Sequence, residues 1–168
     1  MDAEERQTLS TVADYQFGSG AGVALFPPNE NPTVQRTRSG RPTQIHTEAD
    51  TPGGTPDGAP DGRRIVSYED DGRFRLGLAG GERLLAALPD PMGRVVVGDE
   101  SEPFVRDGKN VFAKFVSRVG EEIRPGDEVA VVHERGDLLA VGRAELSASE
   151  MRAFDTGMAV KVRNGTGE

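Results

Sequence analysis

Three lysines serve all 168 residues, and each stands in the second half of the chain. Lys109 and Lys114 lie in the run Arg106-Asp107-Gly108-Lys109-Asn110-Val111-Phe112-Ala113-Lys114-Phe115-Val116. Lys161 lies in Met158-Ala159-Val160-Lys161-Val162-Arg163. The chemistry these residues offer is electrostatic. Gly108 lets an anionic group such as a phosphate come close to the backbone, and Lys109 sets a mobile cation beside it. Phe112 is a flat apolar surface on which a planar group could stack. Bond-making chemistry is poorly supplied by comparison. There is no cysteine, hence no thiolate nucleophile, thiolate metal site or disulfide framework. His46 and His133 fall in different halves, without ligand spacing or company suited to acid–base work. The residues point to binding rather than catalysis, with no metal and no cofactor.

Those residues need a frame of short strands. The glycine turn should feed a strand that places Val111, Ala113 and Phe115 on one face and Phe112, Lys114 and Val116 on the other. A last strand over 158–163 carries alternating basic residues, and the tail from Asn164 is expected to fray. Between them lie a buried strand at 94–97, a turn or short helix at 100–105, and Pro125-Gly126, suited to a type II turn. Residues 128–133 and 138–146 form a hairpin around 134–137, with Arg143 on an alternating strand of its own. Ser147-Ala148-Ser149-Glu150 matches a capping box, with Leu146 and Met151 in the staple positions, and predicts a short helix over 148–154. Five or six short strands and little helix suggest a compact barrel over 94–163.

The first half reads as a separate α+β unit over 8–91. Residues 8–26 carry helix signals, with Ser10 or Thr11 as cap and Val12 and Tyr15 spaced for one face. Gly18-Ser19-Gly20-Ala21-Gly22 interrupts them. A nucleotide-binding glycine motif needs a strand before it and a long helix after it, so this run is read as a tight corner. Residues 34–38 and 41–46 make a hairpin around Ser39-Gly40, with Arg36, Arg38 and Arg41 giving a solvated basic face. Residues 48–62 are rich in Pro, Gly, Thr and Asp and read as a flexible loop. A second hairpin, 65–68 with 74–78, turns at Asp70-Asp71-Gly72 and buries Phe74, Leu76 and Leu78. A short helix over 82–88 follows, and Pro89 and Pro91 mark a boundary.

The net charge of −8 rests on 28 acidic residues against 20 basic ones, seventeen of them arginine. Few lysines and many carboxylates resemble proteins of salt-loving archaea. At molar salt the Debye length shrinks to about 3 Å, so local contacts outlive the long-range field of an acidic protein. No apolar run reaches the length of a membrane span, and the start MDAEERQTLS does not resemble a secretory signal. A cytoplasmic protein is expected.

Gly108 to Phe115, the turn Arg124-Pro125-Gly126-Asp127-Glu128-Val129, Leu139-Ala140-Val141-Gly142-Arg143-Ala144 and Ala159-Val160-Lys161-Val162-Arg163 together resemble a PUA domain. More narrowly, they resemble the PUA domain at the end of archaeal archaeosine tRNA-guanine transglycosylases. Ala13-Asp14-Tyr15-Gln16-Phe17-Gly18 and Ala24-Leu25-Phe26 resemble the domain preceding PUA in that family. The resemblance implies an α+β domain followed by a mainly-β PUA pseudo-barrel that grips the acceptor stem and 3′ end of tRNA. By position it implies RNA contacts from Arg106, Gly108, Lys109, Asn110, Lys114, Lys161 and Arg163, and beside them Phe112, by its own chemistry, offers a stacking platform for an unpaired 3′ end. Nothing in the sequence matches the family's catalytic barrel, with its aspartate nucleophile and cysteine-rich zinc site. The expectation is therefore a non-catalytic RNA-binding protein, acting on tRNA beside a transglycosylase or related modification enzyme. The alternative is an adaptor that docks such an enzyme or a ribosomal component.

Overall fold

The computed structural model describes residues 1–48 and 62–167, so the expected flexible loop falls, apart from its two ends, outside the described residues. The chain divides into two units, residues 1–87 and 88–168.

In the first unit, helix α1 (Ala3–Phe17) begins well before the expected start. Asp2 caps it, its carboxylate accepting the Glu5 N–H at 2.8 Å, and Glu4 and Glu5 sit in the first turn, where negative charge suits the helix dipole. Ser10 and Thr11, read as caps, lie inside the helix, and Thr11 donates its hydroxyl to the Gln7 carbonyl at 2.9 Å. The glycine run is a corner between helices, as expected. Gly18 and Gly20 take φ of 116° and 95° ahead of α2 (Ala21–Leu25). Gly22 N–H donates to the Asp14 carboxylate at 2.7 Å, and a Cβ there would lie 2.4 Å from the Ser10 carbonyl oxygen.

Strands β1 (Thr33–Arg36), β2 (Pro42–His46), β3 (Arg64–Tyr68) and β4 (Phe74–Leu76) form an antiparallel sheet in that order. Register sets Val34, Ile45, Val66 and Leu76 in one row across the sheet and Gln35, Gln44, Ser67 and Arg75 in the next. Strand pleating puts those rows on opposite faces. The basic hairpin is tied to its own unit. Arg36 pairs with Glu5 at 2.7 Å, and Arg41 lies 4.8 Å from the Tyr68 ring centroid while bonding the Tyr68 and Glu69 carbonyls. Helix α3 (Leu78–Ala87) starts four residues earlier than expected and takes Leu78 out of the preceding strand. Gly80 permits this, since a Cβ there would meet the Ile65 carbonyl oxygen at 2.1 Å.

The second unit holds β5 (Arg94–Val97), α4 (Glu102–Arg106), β6 (Val111–Phe112), a 3₁₀ turn (Ala113–Phe115), β7 (Val116–Val119), β8 (Glu128–His133), β9 (Leu138–Ala144), α5 (Ala148–Ala153) and β10 (Met158–Gly165). The sheet order is β6-β10-β9-β8-β5-β7, with β5 and β8 parallel and every other pair antiparallel. Val95, Val97, Val111, Val129, Val131, Leu139, Met151 and Val160 fill a core of aliphatic side chains. The unit is a nearly closed β-barrel, following an α+β unit.

The single alternating strand expected over 111–116 is two strands. β6 and β7 are the opposite edges of the six-stranded sheet, and the 3₁₀ turn between them carries the chain from one edge to the other. Ala113 N–H makes the last bond of the β6–β10 ladder, donating to the Gly157 carbonyl at 2.9 Å, and the turn follows from there. The tail does not fray at Asn164. β10 runs to Gly165, Thr166 N–H donates to Leu139 and Gly167 N–H to Arg106, each at 2.9 Å. Two local expectations hold in detail. Gly126 has φ of 92° in a turn closed by Asp127 N–H to the Arg124 carbonyl at 3.1 Å, and the Ser147–Glu150 capping box is present in both directions. Among the described residues, no helix is long and apolar enough to cross a membrane.

The corner makes a stability prediction. Gly22→Ala forces a methyl group against fixed backbone and should lower the unfolding free energy by about 1–3 kcal/mol in urea titration. Gly20→Ala meets nothing within 4 Å, and should show only the left-handed backbone penalty of roughly 1–2 kcal/mol.

Candidate nucleic-acid interface

The proposed contact residues are organised by β10, which pairs with β6 on one side and β9 on the other. Its partners on β6 are Met158↔Phe112 and Val160↔Val111, with a register shift between them. Ala159 and Val160 are consecutive, yet both are 0% exposed. The bulge therefore turns two neighbours inward, and Met158 and Lys161, three residues apart, both reach solvent. Lys161 stands directly opposite Arg143 on β9. Like charges so placed repel, and Glu145 offsets this by accepting from Arg143 at 3.0 Å. Sequence alternation placed Arg143 on a different strand; only the register shows it beside Lys161.

Gly108 and Lys109 have a backbone explanation. Gly108 N–H donates to the Val105 carbonyl at 3.0 Å and Lys109 N–H to Phe104 at 2.9 Å, a Schellman ending for α4. Gly108 occupies the left-handed position of that motif with φ of 93°. The space beside its Cα is open, with nothing within 4 Å of where a Cβ would stand. The same turn that ends the helix thus presents Lys109 to solvent at the head of β6. Asn110 accepts the Val162 N–H on its side-chain oxygen at 3.0 Å, fastening β6 to β10 next to it.

Two further expected contacts, like Asn110, are engaged in holding the frame. Arg106 donates to one Glu102 oxygen through Nε and Nη2 at 3.0 and 2.9 Å, and through Nη1 to the Thr166 hydroxyl at 2.9 Å. Arg163 on β10 forms a two-pronged pair with Glu128 on β8, whose side chain is 6% exposed. Gly108, Lys109, Phe112, Lys114 and Lys161 are exposed, Phe112 to 46%. Lys114 Nζ lies 5.0 Å from the Phe115 ring centroid.

The two histidines differ from each other. His46 sits on β2, and burial, then the Arg64 charge, pushes its imidazole below the ordinary histidine value. His133, expected to stand without company, meets Asp99 at 2.6 Å and lies 3.9 Å from Glu102. These three offer ligand atoms within 4.8 Å of one another. The hydrogen bonds argue against a cation there. His133 Nδ1 accepts the Arg135 backbone N–H at 3.0 Å, which leaves the imidazole proton on Nε2, donated to Asp99. A metal on Nε2 would drive that proton to Nδ1, against the Arg135 donor. Glu102 is already held by Arg135 at 2.7 Å and Arg106 at 2.9 Å. The cluster is a structural brace across 34 residues of sequence, beyond the reach of any spacing signal.

Residues 93–166 match the PUA domain, and residues 7–91 match the patch-forming domain C2 of tRNA-guanine transglycosylase. The chain is 42% identical over 161 residues to the tRNA-guanine(15) transglycosylase of Pyrococcus furiosus, covering 95% of this chain and 25% of that protein. It is 41% identical over 163 residues to the enzyme of the same name from Methanothermobacter thermautotrophicus, covering 96% and 23%. It thus spans about a quarter of the length of these relatives. Among solved structures, a hypothetical protein of Pyrococcus horikoshii covers the whole chain, and 93% of its own, at a TM-score of 0.70 and 21% identity. A conserved PUA domain protein of Thermoplasma acidophilum does so at 0.65 and 20%, again with 93% of its own chain covered. Both share the fold.

The brace should be visible in acid. Hydrogen bonds from Arg135, then Arg106, bring the Glu102 carboxyl down from 4.5 to about 2. A carboxyl lowered on folding stabilises fully above its unfolded value, and the contribution disappears as pH falls through the folded value. Wild type should therefore lose thermal stability between about pH 4.5 and 2 more steeply than Glu102→Gln, measured as melting midpoint against pH. Equal slopes would show that the pair adds nothing.

Proposed function

The chain belongs to the family of the patch-forming domain C2 of tRNA-guanine transglycosylase, followed here by a PUA domain, and on that premise we propose that it is a non-catalytic RNA-binding protein whose partner is tRNA. The observation that carries this reading is the placement of the lysines. A chain that otherwise uses arginine for its cations keeps all three lysines exposed on the second unit. Lys109 heads β6, Lys114 follows it, and Lys161 lies on β10, the strand that pairs with β6. Arginine suits a fixed fork onto carboxylates, and lysine suits a mobile contact to phosphate. Arg106, Asn110 and Arg163 hold that edge in shape, while Gly108, Lys109, Phe112, Lys114 and Lys161 face the RNA.

A duplex acceptor stem is recognised by shape, phosphates and 2′-hydroxyls, which lysines on a strand edge can reach. An unpaired 3′ end is recognised by stacking, for which Phe112 is exposed. The tRNA partner follows from the relatives, whose names state that they act on tRNA guanine. A chain resembling a quarter of such an enzyme would hold the tRNA while a modification enzyme acts on it. The net charge of −8 fits this role in a salt-adapted cell, where screening to about 3 Å leaves only direct contacts effective.

A second reading, an adaptor that docks a tRNA-modifying enzyme through protein contacts, draws on α1. Tyr15 is 96% exposed there, a ring of the type enriched at protein interfaces. Retention of a transglycosylase by the immobilised chain after nuclease treatment would favour it.

Binding of a tRNA transcript across a potassium chloride series tests the first reading. Lys109→Glu with Lys161→Glu should weaken binding at least about tenfold and flatten the salt slope by roughly two. Removing the 3′ tail from the transcript should weaken wild-type binding further. Unchanged binding by the double variant would place the RNA elsewhere on the molecule.

A further inference from the structure

Helix α4 needs outside support. It has five residues and no side-chain cap at its start, and isolated helices shorter than about 12 residues are marginal in water. Yet its end sets Gly108 and Lys109 in place, through the bonds that the Val105 and Phe104 carbonyls accept. The support comes from the β8–β9 turn. Arg106 donates to a Glu102 oxygen from within the helix, and Arg135 donates to that same oxygen from the turn, at 2.7 Å. Arg135 is fixed in turn by Asp137, at 3.1 and 2.8 Å, and its backbone N–H is held by His133 Nδ1 at 3.0 Å. The His133 ring, 4% exposed, thus stands under the contact on which α4 rests.

That last bond exists in one protonation state only. A neutral imidazole with its proton on Nε2 accepts at Nδ1, whereas an imidazolium donates from both nitrogens. Charging His133 would set its Nδ1–H against the Arg135 N–H, two donors with no acceptor between them. The groups facing the ring then pull the network apart. Asp99 at 2.6 Å and Glu102 at 3.9 Å attract an imidazolium, and Arg135 Nη1 at 3.2 Å is repelled by it. Glu134 turns its carboxylate toward Gly98, and Arg106 and Asp137 lie behind Glu102 and Arg135. A charged ring therefore competes with Arg135 for Glu102 while the turn that carries Arg135 loses its own anchor. We propose that His133 is a positioning residue that makes RNA affinity depend on pH: neutral, it holds Arg135 on Glu102 and the Gly108–Lys109 turn in place, and protonated, it releases them. This rests on the RNA-binding reading and adds to it a regulation of the same site. Lysine and the RNA phosphates keep their charge over the range in which histidine titrates, so direct phosphate contacts alone give no such dependence.

The test uses the full chain and a tRNA transcript at fixed potassium chloride, with affinity measured from about pH 8 down to about pH 5. Wild type should bind at least about fivefold more weakly at the acid end. Linkage is reciprocal, so added transcript should move the His133 imidazole titration, followed by NMR, to lower pH. His46, on the first unit, is the internal control and should not move. His133→Asn offers an oxygen to the Arg135 N–H and does not titrate. Whatever its affinity at pH 8, the ratio between the two ends of the series should fall to within about twofold. Equal ratios in wild type and His133→Asn, or no acid weakening in wild type, would overturn the switch and leave the RNA surface standing. Should His133→Asn fail to fold, the wild-type titration decides: a His133 midpoint unmoved by bound transcript would overturn the switch. Absence of binding by wild type at pH 8 would overturn the RNA reading, and the switch with it.

Discussion

The second unit depends on how β10 is seated. Ala159 and Val160 both enter the core, and this is possible only because the strand bulges between its pairing with Phe112 and with Val111. Everything exposed downstream takes its direction from that extra inward residue. Without the bulge, strict alternation would either expose Ala159 or expose Val160 and bury Lys161. The strand is fastened along its length: the Asn110 side chain on Val162, Glu128 on Arg163, and the Arg106 carbonyl 2.2 Å from where a Cβ on Gly165 would stand. The proposed interface is therefore the outer side of a strand with little freedom to move.

Charge is divided by residue type around that strand. Arginines make the ion pairs that link elements distant in sequence, Arg163 with Glu128 across three strands and Arg135 with Glu102 between the β8–β9 turn and α4. Such forked pairs have the geometry to matter where they are partly buried, and exposed pairs contribute little. Lysines are left for the solvent. A protein carrying −8 can in this way offer a local cationic edge without becoming basic overall.

How much of this was readable in advance depended on range in sequence. The capping box at Ser147 and Glu150, the Pro125-Gly126 turn and both hairpins of the first half rest on residues within a few positions of each other, and the structure contains them. The start of α1 was equally local, since Asp2 and Glu5 stand at capping spacing, but Ser10 and Thr11 offered competing signals that the helix absorbs internally. The alternation from Val111 to Val116 misled because an edge-to-edge crossing and a continuous strand share the same apolar pattern. Glu102, Glu128 and Asp99 could not be assigned to Arg135, Arg163 and His133, since each pair is more than thirty residues apart. Arg143 joined Lys161 only through register.

The central claim is that RNA lies on the β6–β10 edge of the second unit. Amide hydrogen exchange, followed by peptide with and without a tRNA transcript, tests it without altering a residue. Slowed exchange should appear over 107–115 and 158–163 when the transcript is added. Slowing confined to the hairpin over 33–46 or to α1, with the second unit unchanged, would contradict the account.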